Sequence, residues 1–231
     1  MATYVLLHGA GGDAWQWHRV APLLTALGHD VVAPDLPVDD DAAGIAEYAD
    51  ATVDAVGRRR DVVLVAQSMA AFTAPLVVGR VPTTLLVLTA PMIPSPGESA
   101  GQWWEATGQD AAARAFAVSE GRDLDGEDEI ATFLHDVPRD VVREAVARGE
   151  RGQSGTPFAA PWPLAAWPDV PTRVVIGTRD RLFPPDLQRR LARERLGLVA
   201  DELDAGHVIP LARPRELVDL LERYRADVVP A

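Results

Sequence analysis

Asp61-Val-Val-Leu-Val-Ala-Gln-Ser-Met-Ala-Ala-Phe-Thr-Ala-Pro75 is the stretch that decides how this chain folds. Val62 to Val65 are continuously apolar and mostly β-branched, which predicts a strand buried on both faces. After Ser68 the spacing turns helical almost without a loop, so Ser68 is expected on a sharp strand-to-helix turn. Ala66-Gln-Ser-Met-Ala70 matches the nucleophile-elbow pattern G-x-S-x-G with alanines in both glycine places. Residues flanking such a turn must be small because the two backbones nearly touch, and alanine meets that demand less freely than glycine. A serine held there carries its Oγ above the edge of the sheet.

Outward from this stretch the chain alternates between the two periodicities. Thr3 to Leu7 reads as a first strand ending in His8-Gly-Ala-Gly-Gly-Asp13, with a helix expected over about His18 to Leu27. Val31 to Ala33 predicts a second strand, and Ala42 to Gly57 a helix whose C-terminal dipole is complemented by Arg58-Arg-Arg60. Thr84 to Thr89 predicts a fourth strand. Alternation of this kind implies an α/β fold, a doubly wound and mostly parallel sheet of about six strands. From Pro91 to about Asp169 prolines, paired tryptophans and two short helical runs replace the pattern. This segment is expected as a helical cap over the C-terminal edge of the sheet, where open α/β folds bind ligands. The alternation then resumes with a strand at Thr172–Gly177, a helix at Asp186–Leu196, a last strand at Val199–Leu203 and a helix at Pro214–Tyr224. One domain over residues 1–231 is expected, with its core in 1–90 and 170–231.

The 231 residues, 48% of them hydrophobic, suffice for a sizeable core. With 22 basic and 34 acidic residues the formal charge is −12, which argues against nucleic acid or an anionic membrane surface as main partner. A small-molecule partner is expected, and a homodimer is compatible with the composition. No cysteine is present, so disulfides, a thiolate nucleophile and cysteine-ligated zinc are excluded. The chain opens directly on Met1-Ala-Thr-Tyr-Val-Leu-Leu7 without a basic, apolar leader, and a cytoplasmic setting is expected.

A serine nucleophile needs a base to take its proton and a carboxylate to orient that base, and on an elbow fold they follow in the order Ser, Asp/Glu, His. Only His135 and His207 follow Ser68, and His135 falls in the cap segment. His207, in the loop Asp204-Ala-Gly-His207 after the last strand, is therefore the candidate base. Asp180, just beyond the strand ending at Gly177, is the candidate acid; Asp204 is a rival, three residues from the histidine. Stabilising an oxyanion takes backbone N–H groups from the residue after the nucleophile and from the loop after the first strand. These are Met69 and Ala10, and the glycines around Ala10 allow that loop to pass close to the elbow.

In these residues the chain resembles the α/β-hydrolase superfamily, and within it small bacterial relatives of the plant methylesterase and hydroxynitrile lyase group. Tyr4 to His18, Leu24 to Pro37, Asp180-Arg-Leu-Phe-Pro184 and Gly206-His207 carry the resemblance, which covers nearly everything except the cap. It implies Ser68, Asp180 and His207 as a triad with Ala10 and Met69 as the oxyanion pair. It also implies that a lyase would carry Thr in the first loop and Lys directly after the base, where this chain has Gly9 and Val208. The expected activity is a cofactor-free serine hydrolase of small carboxylic esters, lactones or thioesters. A lyase or cyclase, and a ligand receptor on the same fold, are the alternatives.

The remaining features divide between site and scaffold. The glycine loop does not match G-x-G-x-x-G, so no dinucleotide is expected. His18 and His135 lack companions at metal spacing, so no metal is expected. Gly9, Trp103, Trp104, Phe133 and Trp162 are candidates for the substrate pocket, while Trp103, Trp104, Phe133, Trp162 and Trp167 would serve equally to fasten the cap to the sheet. Trp15 and Trp17 either border the pocket or pack the first helix. The acidic run Asp123 to Glu129 reads as a solvated turn and a helix start.

Overall fold

β3 (Val62–Gln67) lies near the middle of a six-stranded sheet, with every one of its residues buried. The computed structural model describes residues 1–123, 128–149 and 151–228. The sheet order is β2 (Asp30–Val32), β1 (Thr3–Leu7), β3, β4 (Thr83–Thr89), β5 (Thr172–Gly177) and β6 (Asp201–Leu203). Every pairing is parallel. A parallel sheet covered on both faces needs strands without a polar side, which is why β1 and β3 read as continuous apolar runs.

The two-residue period of the strands divides the core. Val5, Leu7, Leu64, Leu86, Val174 and Ile176 point into one hydrophobic layer with α2 (Ile45–Val56), α3 (Ala70–Val77) and α9 (Pro185–Leu196). Tyr4, Leu6, Val63, Val65, Leu85 and Val87 point into the other with α1 (Ala21–Ala26) and α11 (Pro214–Val228). Each side chain of this size, fully buried, contributes about 1.5–3 kcal/mol by transfer from water. At the far edge of the second layer the Tyr4 hydroxyl donates to Glu222 of α11. Glu222 also meets His29 Nε2 at 3.2 Å, and His29 Nδ1 accepts from the Ala2 amide at 3.1 Å. Burial, and next the bond to Glu222, hold the Tyr4 phenol well above its ordinary pKa.

From β1 the chain steps outward to β2 and returns on the other side of β1 as β3. The connections leaving β1 and β3 therefore diverge and open a crevice at the C-terminal ends of these strands. Register does the rest. Leu7 pairs with Ala66, so Gly9 comes alongside Ser68; Gly177 pairs with Leu203, so Asp180 and His207 leave from neighbouring strand ends.

Elements differ from expectation mainly where they are short. The helix expected from His18 begins only at Ala21, because a 3-10 turn, Ala14–Trp17, precedes it with Asp13 accepting from the Trp15 amide at 2.9 Å. Among the described residues five helices replace the two runs expected between β4 and β5: α4 (Ala100–Thr107), α5 (Gln109–Ser119), α6 (Glu129–Phe133), α7 (Arg139–Arg148) and α8 (Thr156–Ala159). Residues 124–127 of the acidic run lie outside the described residues; Asp128 caps α6, its Oδ1 accepting from the Ala131 amide at 2.8 Å. A further short helix, α10 (Ile209–Ala212), follows His207. No helix among the described residues is long and apolar enough to cross a membrane.

Candidate active site

Ser68 stands one residue beyond β3 with φ +53°, a conformation costly for any residue with a Cβ. Three backbone bonds impose it. The Ser68 amide donates to the Thr89 carbonyl at 3.0 Å, and the Ser68 carbonyl accepts from Ala71 and Met92, both at 3.1 Å. Ala66 and Ala70, in the two glycine places of the motif, are both buried and fit their positions beside the turn.

Ser68 Oγ lies 3.1 Å from His207 Nε2, and His207 Nδ1 lies 2.9 Å from Asp180 Oδ2. All three residues are buried, Asp180 completely. Four donors converge on the Asp180 carboxylate. The amides of Leu182 and Phe183 donate to Oδ1 at 2.9 Å each, and Gln188 Nε2 donates to Oδ2 at 3.1 Å beside the imidazole. A carboxylate facing Nδ1 fixes the proton there and leaves Nε2 as acceptor for the serine hydroxyl. Phe183 and Phe133 meet the His207 ring edge-on, with centroids at 4.9 and 5.5 Å. Asp204 does not reach the histidine's acid position: its exposed carboxylate pairs with Arg179 at 2.8 Å.

The expected oxyanion donors come together from two strand ends. Ala10 and Met69 line one narrow recess with His8, Gly9 and Ala70, and among the described residues neither amide has an acceptor. His8 is buried and accepts from the Leu36 amide at Nε2, 3.0 Å, so its proton sits on Nδ1, which donates to the Gly9 carbonyl at 2.9 Å. Burial holds His8 below the usual histidine pKa, keeping that neutral tautomer. The neighbouring Gly11 amide donates to Gln153 Oε1 at 2.8 Å.

Gly9 is the tightest point. A Cβ there would stand 2.3 Å from Gln67 Oε1 and 3.1 Å from Ser68 Cβ. Gly9→Ala is accordingly expected to push the first loop off the elbow and cost on the order of 10² in kcat, the scale of a 1 Å misplacement of reacting groups. Steady-state kinetics on a folded variant check this; an unchanged kcat removes the loop from the site.

The pocket candidates separate into two groups. Trp103 and Trp162 are fully buried and fasten the insertion, their indole N–H groups donating to the carbonyls of Ile93 and Phe72 at 3.0 Å each. Trp104 is half-buried and packs with Phe183 at 5.6 Å. Among the described residues of the insertion, Phe133 is the aromatic that touches the imidazole of His207. Trp17 is core, whereas Trp15 lies on an open groove of about 210 Å³ together with Gly11, Gly12, Leu134, Val208 and Leu211. That groove runs between the neighbours of Ala10 and the neighbour of His207, and Arg148 and Arg151 also border it, paired with Asp13 and Asp39 at 2.8 and 2.9 Å. Gln153, Gln188, His135 and Asp136 lie around the site without any sequence motif to mark them; each becomes recognisable only by what the fold sets beside it.

Comparisons to known proteins bear on the fold and the family. A family model described as the alpha/beta hydrolase family matches residues 4–220, and the chain belongs to that family. Methylesterase 2 of Arabidopsis thaliana is 61% identical over 33 residues, 14% of this chain and 12% of that protein. A probable esterase, PIR7A, of Oryza sativa subsp. indica is 31% identical over 112 residues, 42% of each. The matched stretches thus span less than half the length of either curated relative. Polyneuridine aldehyde esterase, a solved structure, superposes with a TM-score of 0.76 at 19% identity, covering 96% of this chain and 98% of that one, a likeness of fold.

Proposed function

We propose that this protein is a serine-type carboxylic ester hydrolase acting on small esters through Ser68, His207 and Asp180. The observation that carries the reading is the buried chain of contacts from Ser68 Oγ through His207 to Asp180, beside two amides that have no acceptor among the described residues. His207 Nε2 takes the hydroxyl proton as Oγ attacks the ester carbonyl carbon. The carbonyl oxygen gains the displaced electron pair, and the Ala10 and Met69 amides stabilise it. Collapse expels the alcohol, protonated by His207, and leaves an acyl group on Oγ. Water, deprotonated by His207, then releases the acid. The groove bordered by Trp15, Leu134 and Val208 offers an apolar wall for one arm of the ester.

Ester cleavage is favoured over cyanohydrin cleavage because the residue after the base is Val208, which cannot stabilise departing cyanide. Arg148 and Arg151 border the same groove, yet each is already paired with a carboxylate. Hydrolysis of p-nitrophenyl esters of graded chain length is expected, with no cyanide release from mandelonitrile or acetone cyanohydrin above background. Cyanide release at a rate comparable to ester turnover overturns this choice.

A further inference from the structure

Three residues of the insertion, Phe133, His135 and Asp136, reach the two loops that carry the acid and the base. The Gly206 amide, directly before His207, donates to Asp136 Oδ2 at 2.8 Å. His135 Nε2 stands 3.0 Å from the carbonyl of Arg179, directly before Asp180; a carbonyl only accepts, so this nitrogen carries the proton. Phe133 meets the His207 ring edge-on. The fit at Gly206 is close: a Cβ there would come within 2.6 Å of Asp136 Oδ1 and 2.9 Å of His135 Nε2. Asp136 is itself 1% exposed at its side chain, with Arg179 Nη2 at 3.9 Å as its nearest cation.

A buried carboxylate is costly unless it is bonded and charge-compensated. Here its bond is directed to the backbone of one residue, the neighbour of the base, and its compensating cation belongs to the neighbour of the acid. We propose that Asp136, assisted by His135, is a positioning residue: it holds the loops of His207 and Asp180 in the register that lets Nδ1 face Oδ2 and Nε2 face Ser68 Oγ. The inference rests on the serine-hydrolase reading. The insertion would then complete the catalytic geometry as well as cover it.

The test compares Asp136→Ala with Asp136→Asn in the full chain. Alanine leaves the Gly206 amide without its acceptor, whereas asparagine retains an oxygen for it. Asp136→Ala is expected to lower kcat for a p-nitrophenyl ester on the order of 10²-fold with KM little changed, since geometry at the reacting atoms is lost and the groove is not. Asp136→Asn is expected to recover most of the rate. The downfield proton resonance of the His207–Asp180 hydrogen bond should broaden or vanish in the alanine variant and persist in the asparagine variant. Should Asp136→Ala fail to fold, Asp136→Ser, whose hydroxyl is too short to reach Gly206, makes the same comparison. An unchanged kcat and resonance in a folded alanine or serine variant overturn the proposal, as does an asparagine variant impaired as deeply as alanine. Labelling of wild-type Ser68 by a fluorophosphonate separates the two levels: without it the hydrolase reading falls and takes this inference with it, whereas with it the Asp136 variants alone decide.

Discussion

Ser68→Ala is expected to lower kcat by on the order of 10⁶ while the protein folds as before, because removing a triad serine leaves only the contribution of oxyanion donors and binding. The structure makes this substitution unusually clean. Alanine retains the Cβ, so the cost of φ +53° is the same in both proteins. The bonds that hold the turn run through the Ser68 backbone, to Thr89, Ala71 and Met92, and survive the change. What disappears is one hydroxyl, 3.1 Å from His207 Nε2. Circular dichroism and thermal unfolding should match wild type while ester turnover vanishes. A variant retaining about a tenth of wild-type kcat defeats the assignment, since no bypass of the nucleophile is compatible with such a loss being absent. A fluorophosphonate should label wild type at Ser68 and leave the variant untouched. Labelling of wild type without turnover of any ester would favour a receptor built on the same fold.

Asp180→Asn is expected to lower kcat by about 10⁴, the precedent being the same change in another triad, where the amide favours the wrong histidine tautomer. An amide oriented to keep Leu182 and Phe183 bonded at its oxygen presents its NH₂ to His207 Nδ1. The imidazole proton is then driven to Nε2, where it confronts the serine hydroxyl as donor. Gln188 Nε2 would meet a second donor at the same place, which adds a stability cost on the scale of one lost buried hydrogen bond, about 1–3 kcal/mol. Asp204→Asn breaks a solvent-exposed pair with Arg179 and is expected to shift stability by less than about 1 kcal/mol with little effect on kcat. Parallel kinetics and denaturation of the two variants check this, and reversed effects would move the acid to the loop after Leu203.

The sheet was legible because its central strands are buried on both faces: Val62 to Val65 admit no other reading beside a turn of small residues. That Ser68, Asp180 and His207 come together was legible for a chemical reason, since the order Ser, Asp, His and the strand-end positions leave few candidates. Short elements escaped. α6 and α8, of five and four residues, are briefer than the window in which helical periodicity can be recognised. Local capping delayed the first helix, where Asp13 stabilises a 3-10 turn instead. The contact of Asp136 with Gly206 joins positions 70 residues apart and leaves no trace in spacing. Trp103 and Trp162 could not be sorted between pocket and scaffold without knowing which carbonyl faces each indole.

The clasp of Tyr4 and His29 on Glu222 bears on how the chain matures during synthesis. Tyr4 lies on β1 in the interior of the sheet, and its hydroxyl partner follows 218 positions later. While the first strands leave the ribosome, that hydroxyl and the apolar face of β1 beside it have no α11 to cover them. Contacts this distant in sequence form late, and the exposed face is then open to association with other chains. Translation pauses or truncations before α11 should therefore be felt as aggregation of the nascent chain, at the end of the molecule opposite to the serine.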